Sequence, residues 1–215
     1  MRVTIHLATE NAGKIREMKA ILAAALPGIA IKSMADLDAA ARAKYSANET
    51  GTTYAENALI KARALSQLVD GIVIADDSGF EVENLGGEPG VYSARYAEND
   101  KARCARIIAA LAGKPPEQRH AKFIACIAIL TAGENPVFVF GRKHGYVAEA
   151  PRGENGFGYD PIFCSVPNGP TWGEMAADEK NADSHRRRAL DLVIQYLTGV
   201  VKGNTQYLSS ENRLL

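Results

Sequence analysis

Neither sign of charge is in excess: the 215 residues carry 25 Lys plus Arg against 25 Asp plus Glu. That disfavours nucleic acid as a partner, because such binders carry a clear basic surplus; a small phosphorylated ligand needs only a local positive patch. Long hydrophobic runs are missing as well. No apolar stretch approaches the roughly 18 residues that a membrane span requires, and no charged start leads into an export segment, so no membrane partner is expected. Cysteine is scarce. Cys104, Cys126 and Cys164 are odd in number, far apart and in no metal-ligand spacing, which reads as buried or half-buried thiols in a reducing cytoplasm. There is no internal repeat and no low-complexity tract. What is present, 47% apolar and 23% charged residues, suits one domain or two closely joined lobes with a real core.

Apolar spacing gives the organisation. "RVTIHLAT" (2–9) reads as a buried strand running into a helix, "NAGKIREMKAILAAAL" (11–26), whose Ile15, Met18, Ile21, Leu22 and Leu26 recur at helical spacing before "PG" stops it. "IAIKS" (29–33) is a short strand, and residues 34–51 show no assignable pattern. A helix over 52–69 starts at Thr52 or Thr53. "GIVIADD" (71–77) is a strand that stops at its two aspartates, followed by a hairpin-like piece over 80–90. A helix over 98–113, two long strands in 121–150, a glycine-rich loop at 153–163 and one last helix over 177–199 complete the reading, with a polar tail from 202 to 215. The fold class is α/β: two lobes on a shared mixed sheet, with a central substrate cleft, in a single domain over 1–201.

Four stretches carry chemistry. "TENAGK" (9–14) lies where a strand turns into a helix, so free amides and the positive helix end favour an anion, and Lys14 adds a charge. Asp76 and Asp77 stand side by side, which costs energy unless something positive is near; Mg²⁺, which takes one or two carboxylates plus substrate phosphates, would answer that. "GFGYDP" (156–161) can bring amides and a ring face to a flat ligand. "SHRRR" (184–188) puts His185 and Arg186 at a helix start, where at most two of the four basic residues can face one site; a solvated basic face is its default reading.

In order along the chain, "LATENAGKIREM", "ETGTTYAENALIKA", "IADDSGFEVENLGGEPGVYSARYA", "GFGYDPIF" and "EKNADSHRRRAL" resemble the inosine/xanthosine triphosphate pyrophosphatase family. The resemblance implies a homodimeric enzyme that uses Mg²⁺ to hydrolyse ITP, dITP and XTP to the monophosphate and pyrophosphate. By the same resemblance, Thr9, Glu10, Asn11, Ala12, Gly13 and Lys14 match the phosphate-binding turn, and Asp76 and Lys61 lie near the phosphates. Asp77 matches the proton acceptor and metal ligand, with Ser78 on the substrate. Phe157, Gly158, Tyr159, Asp160, Lys180, His185 and Arg186 match the nucleotide-binding set, the aromatic loop packing on the base. One departure stands out: many members carry two acids before "TG", and here the stretch is Asn48-Glu49-Thr50. The second metal ligand is therefore Glu49, or Asn48 through its amide oxygen. The competing expectations are a related pyrophosphatase for modified pyrimidine nucleotides and a non-catalytic nucleotide sensor.

Overall fold

The computed structural model describes residues 3–199; the tail expected over 202–215 lies outside them. The strands are β1 (Thr4–Leu7), β2 (Ala30–Ser33), β3 (Ile72–Val82), β4 (Pro89–Gly90), β5 (His120–Leu130), β6 (Val137–Val147) and β7 (Phe163–Cys164). The helices are α1 (Ala12–Ala25), α2 (Ala39–Lys44), α3 (Tyr54–Ser66), α4 (Asp100–Ala110), α5 (Ala177–Ala182) and α6 (His185–Leu197). The sheet order is β2-β1-β3-β5-β6-β7, with β4 on β3. β1 lies parallel to both β2 and β3, while β3–β4 and β6–β7 are antiparallel. The sheet is thus mixed, as expected.

Two compact units are formed. One comprises residues 3–77, 126–141 and 188–199; the other comprises 78–125 and 142–187. β3, β5 and β6 each contribute residues to both. In the first unit, β1 and β3 bury Ile5, Leu7, Val73 and Ile74, α1 buries Met18, Ile21 and Leu22, and α3 buries Ala58, Ala62 and Leu65. Each of these helices starts on a polar cap: Asn11 accepts the Lys14 amide, and Thr53 and Glu56 form a reciprocal capping box. The second unit is held by an aromatic cluster of Phe80, Phe123, Tyr159, Phe163 and Trp172 with Ile107, Leu111 and Ile162. Among the described residues no helix is long and apolar enough to cross a membrane.

Three expectations change. The strand of "GIVIADD" does not stop at its aspartates; β3 runs on through Asp76 and Asp77 to Val82, because both carboxylates have cationic partners that make them tolerable inside a sheet. The last helix is two helices. Ser184 accepts the Arg187 amide at 3.0 Å and so starts α6, a capping role that serine prefers to the helix interior. The patternless 34–51 stretch contains α2, capped by Asp38 on the Ala41 amide; its six residues are too few to show a helical period.

Arg119, only 5% exposed, donates to the carbonyls of Leu111, Val147 and Ala148 at 2.7–2.8 Å. It ties the end of α4 to the end of β6. Replacing it with leucine removes all three bonds; the Leu111 carbonyl keeps the Lys114 amide at 3.1 Å, while those of Val147 and Ala148 lose their arginine donor at about 1 kcal/mol or more each. We expect Arg119→Leu to lower the unfolding free energy by about 2 kcal/mol or more, read from the urea midpoint; a midpoint unchanged from wild type would show the tie to be dispensable.

Candidate active site

Successive side chains of a strand point to opposite faces, so Asp76 and Asp77 face different helices. Each finds its own lysine. Lys14, in the first turn of α1, lies 2.8 Å from the fully buried Asp76 carboxylate. Lys61, on α3, lies 2.6 Å from Asp77. The same Lys61 ammonium reaches Glu49 at 3.3 Å, so a single cation holds two carboxylates together. Burial pushes the Asp77 carboxyl above the usual carboxylate range, with Lys61 and Lys14 pulling it back. Burial acts on Lys61 in the opposite sense, but Asp77 and Glu49 outweigh it and hold the lysine above its ordinary value. The pair is a buried salt bridge, with Asp77 at 6% and Lys61 at 7% exposure.

Around Lys14 the turn is built as a cap. Thr9 accepts the Asn11 amide at 3.2 Å, and Asn11 accepts the Lys14 amide at 3.0 Å. Thr9 and Gly13 are buried, whereas Glu10, Asn11 and Ala12 are exposed. Asn48 is exposed too; of the two alternatives before "TG", Glu49 is the one whose side chain reaches Lys61. Among the described residues no three His, Cys, Asp or Glu side chains converge as a ready metal cage.

The second unit gathers the other candidates. Arg186, 1% exposed, donates to the Ser78 hydroxyl at 2.9 Å, and its guanidinium lies 5.8 Å from the Phe157 ring centre. The Lys180 ammonium sits 4.8 Å from the same centre and 5.2 Å from that of Trp172. It forms a short buried ion pair with Asp160, whose carboxylate also accepts the Phe157 amide at 2.8 Å. Gly156 has φ +76° and a would-be Cβ 2.0 Å from Asp160 Oδ2, so only glycine lets the loop close over that carboxylate. The "SHRRR" default is overturned for its first two basic residues: His185 and Arg186 are both buried.

Some candidates play other parts. Tyr159 is 4% exposed, stacks on Phe80 at 4.8 Å and donates its hydroxyl to the Ser93 carbonyl. Phe157, half-buried, is the ring left on the loop surface. The Gly158 amide is taken by Asp100 at 2.7 Å, so the amides of residues 157 and 158 are both occupied. Sequence reasoning missed Trp172 and Phe123. Their rings lie nearly parallel to His185, 5.8 and 4.7 Å away, and they wall the imidazole. Trp172 is the only tryptophan, which was the one signal available.

Known proteins resemble this chain over most of its length. Residues 5–196 match the model of the Ham1 family. A dITP/XTP pyrophosphatase of Geobacillus kaustophilus is 45% identical over 207 residues, 94% of this chain and 98% of that protein. One from Bacillus subtilis is 46% identical over 187 residues, 86% and 91% respectively. The structure of the Staphylococcus aureus Ham1 protein is similar with a TM-score of 0.77 at 36% identity, covering 92% of this chain and 99% of that one.

Removing one partner of a buried ion pair costs about 3–5 kcal/mol. Lys61→Met should therefore destabilise the protein strongly, and adding Asp77→Asn in the same chain should recover much of that loss. Chemical denaturation of the two single variants and the double variant measures the coupling; simple additivity would mean that the pair is not energetically real.

Proposed function

The chain belongs to the Ham1 family, and from that premise we propose how its residues divide the hydrolysis of inosine- and xanthosine-type purine nucleoside triphosphates to monophosphate and pyrophosphate. The observation that carries the proposal is the single Lys61 ammonium shared by Asp77 and Glu49. A nucleoside triphosphate brings several negative charges. The Lys14 ammonium and the positive N-terminal end of α1 supply positive potential where the phosphates bind, and Lys61 favours the ionised form of Asp77 against its burial. Asp77 then accepts the proton of the attacking water while the bond joining the α and β phosphates breaks and its electrons leave with pyrophosphate.

Mg²⁺ fits the donors present. Asp77 and Glu49 already converge on one cation, the Lys61 ammonium, and these two carboxylates would hold Mg²⁺, which needs only one or two from the protein. When bound it stabilises charge that builds on the leaving pyrophosphate. Asn48, exposed, is not assigned to it.

On the base side, hypoxanthine and xanthine present a 6-oxo acceptor where adenine presents an amine. With the Phe157 and Gly158 amides already engaged, the donors we assign to the oxo group are the Arg186 and His185 side chains, with Phe157 stacking on the ring. A buried donor facing a second donor goes unpaired, and a site built for hydrogen bonding rejects such a substrate by roughly 10⁴–10⁵. We place the enzyme in the cytoplasm as a homodimer: the three cysteines are buried free thiols, which suits a reducing compartment, and the dimer follows the family resemblance and is checked by sedimentation.

Pyrophosphate release from dITP, XTP, dATP, dUTP, dTTP and modified pyrimidine triphosphates, with and without EDTA, tests this reading. We expect dITP and XTP to be turned over and EDTA to stop turnover. Preferred release from a pyrimidine, or binding of ITP without release, would overturn it. Asp77→Asn should abolish turnover while leaving nucleotide binding intact. Glu49→Gln should raise the half-saturating Mg²⁺ by about tenfold or more, while Asn48→Glu should leave it near wild type.

A further inference from the structure

We propose that Asn57 is a positioning residue that sets Glu49 for cation binding; the inference rests on the reading of Glu49 as a metal ligand. Asn57 lies on α3 one turn before Lys61, and residues four apart on a helix share a face. It is 1% exposed. Its Oδ1 accepts the amide of Gly51, two residues beyond Glu49, at 2.8 Å. A Cβ on Gly51 would stand 2.7 Å from that oxygen and 2.6 Å from Glu56 Cβ, so the contact closes only over a glycine.

The next two amides are tied to the same helix. Glu56 Oε2 accepts from Thr52 at 2.8 Å and from Thr53 at 3.1 Å. Three consecutive amides upstream of α3 are thus held by side chains of its first turn. Glu56 completes the helix cap. Asn57 carries the tether one residue further, toward Glu49. One helix therefore bears both the lysine that holds Asp77 and the amide that holds the segment carrying Glu49, and the spacing of the two carboxylates is set within a single helical turn.

The residue type argues for position rather than stability. Asn57 Nδ2 is buried with no hydrogen-bond partner among the described residues, an arrangement that costs about 1–3 kcal/mol. Aspartate would offer the same acceptor without that orphan donor, but it would place a further negative charge four residues before Lys61 and compete with Asp77 and Glu49 for it. Asparagine is the neutral acceptor for this place.

The test is calorimetric titration of Mg²⁺ into protein saturated with α,β-imido-dITP, together with the melting temperature of each ligand-free variant. Asn57→Ala, which removes the tether, and Gly51→Ala, which blocks it from the other side, should each weaken Mg²⁺ binding by about tenfold or more. Glu56→Ala should lower the melting temperature but leave Mg²⁺ affinity within about twofold of wild type, the precision at which a change in affinity becomes meaningful. Asn57→Ala with wild-type Mg²⁺ affinity, whatever its melting temperature, overturns the proposal; if that variant does not fold, wild-type affinity in Gly51→Ala does so. Mg²⁺ binding lost in Glu49→Gln but intact in both tether variants overturns this inference alone. Mg²⁺ binding that is unchanged in Glu49→Gln overturns the metal reading beneath it.

Discussion

A lysine against a buried aspartate is the interaction on which the rest of the site depends. Asp77 sits in the middle of a strand, only 6% exposed, and Lys61 at 2.6 Å makes its charge bearable there. Without that partner burial would favour the neutral carboxyl, and the chemistry proposed for Asp77 would be lost. The neighbouring pair of Asp76 with Lys14 at 2.8 Å follows the same logic on the other face of β3. The two pairs solve the problem of adjacent carboxylates by separating them across the sheet.

This arrangement draws distant segments together. Lys14 comes from the first turn of α1, Lys61 from the middle of α3, Glu49 from the loop before it, and the aspartates from β3. α3 is the organising element, because its first turn caps itself with Thr53 and Glu56 and also binds the amides of residues 51–53. In the second unit the organising charge is Asp160, which holds Lys180 and the Phe157 amide and so fixes the cationic and aromatic faces of the base-binding candidates. Both groups use a buried carboxylate to place a lysine, but the first leaves its carboxylate as the proposed reactive group and the second spends it on position.

Much of this was legible in the order of residues. β1 and α1 follow from alternating and helical apolar spacing, and the α3 start follows from a threonine cap at 52 or 53, which the structure places at Thr53. The family resemblance brought out Lys14, Lys61, Asp77, Lys180 and Arg186 together. Other features were not legible. Two adjacent aspartates read as a strand end because nothing local shows that lysines 62 and 16 residues away in sequence will reach them. "ADEKNADSHRRRAL" reads as one helix because a serine interrupts a helix only where its hydroxyl finds an amide, as Ser184 does with Arg187. Tyr159 and Phe157 are equivalent in sequence, and only packing against Phe80 sends one into the core.

The sequence by itself determined the family, the α/β class and the charges available for phosphate chemistry, because those rest on local spacing and on motifs contiguous in the chain. Tertiary structure alone decided which carboxylate each lysine neutralises, that Glu49 rather than Asn48 meets Lys61, and that His185 packs against the rings of Phe123 and Trp172. Those outcomes depend on burial and on distances between remote segments, and Coulomb energy and desolvation act through space without regard to order along the chain.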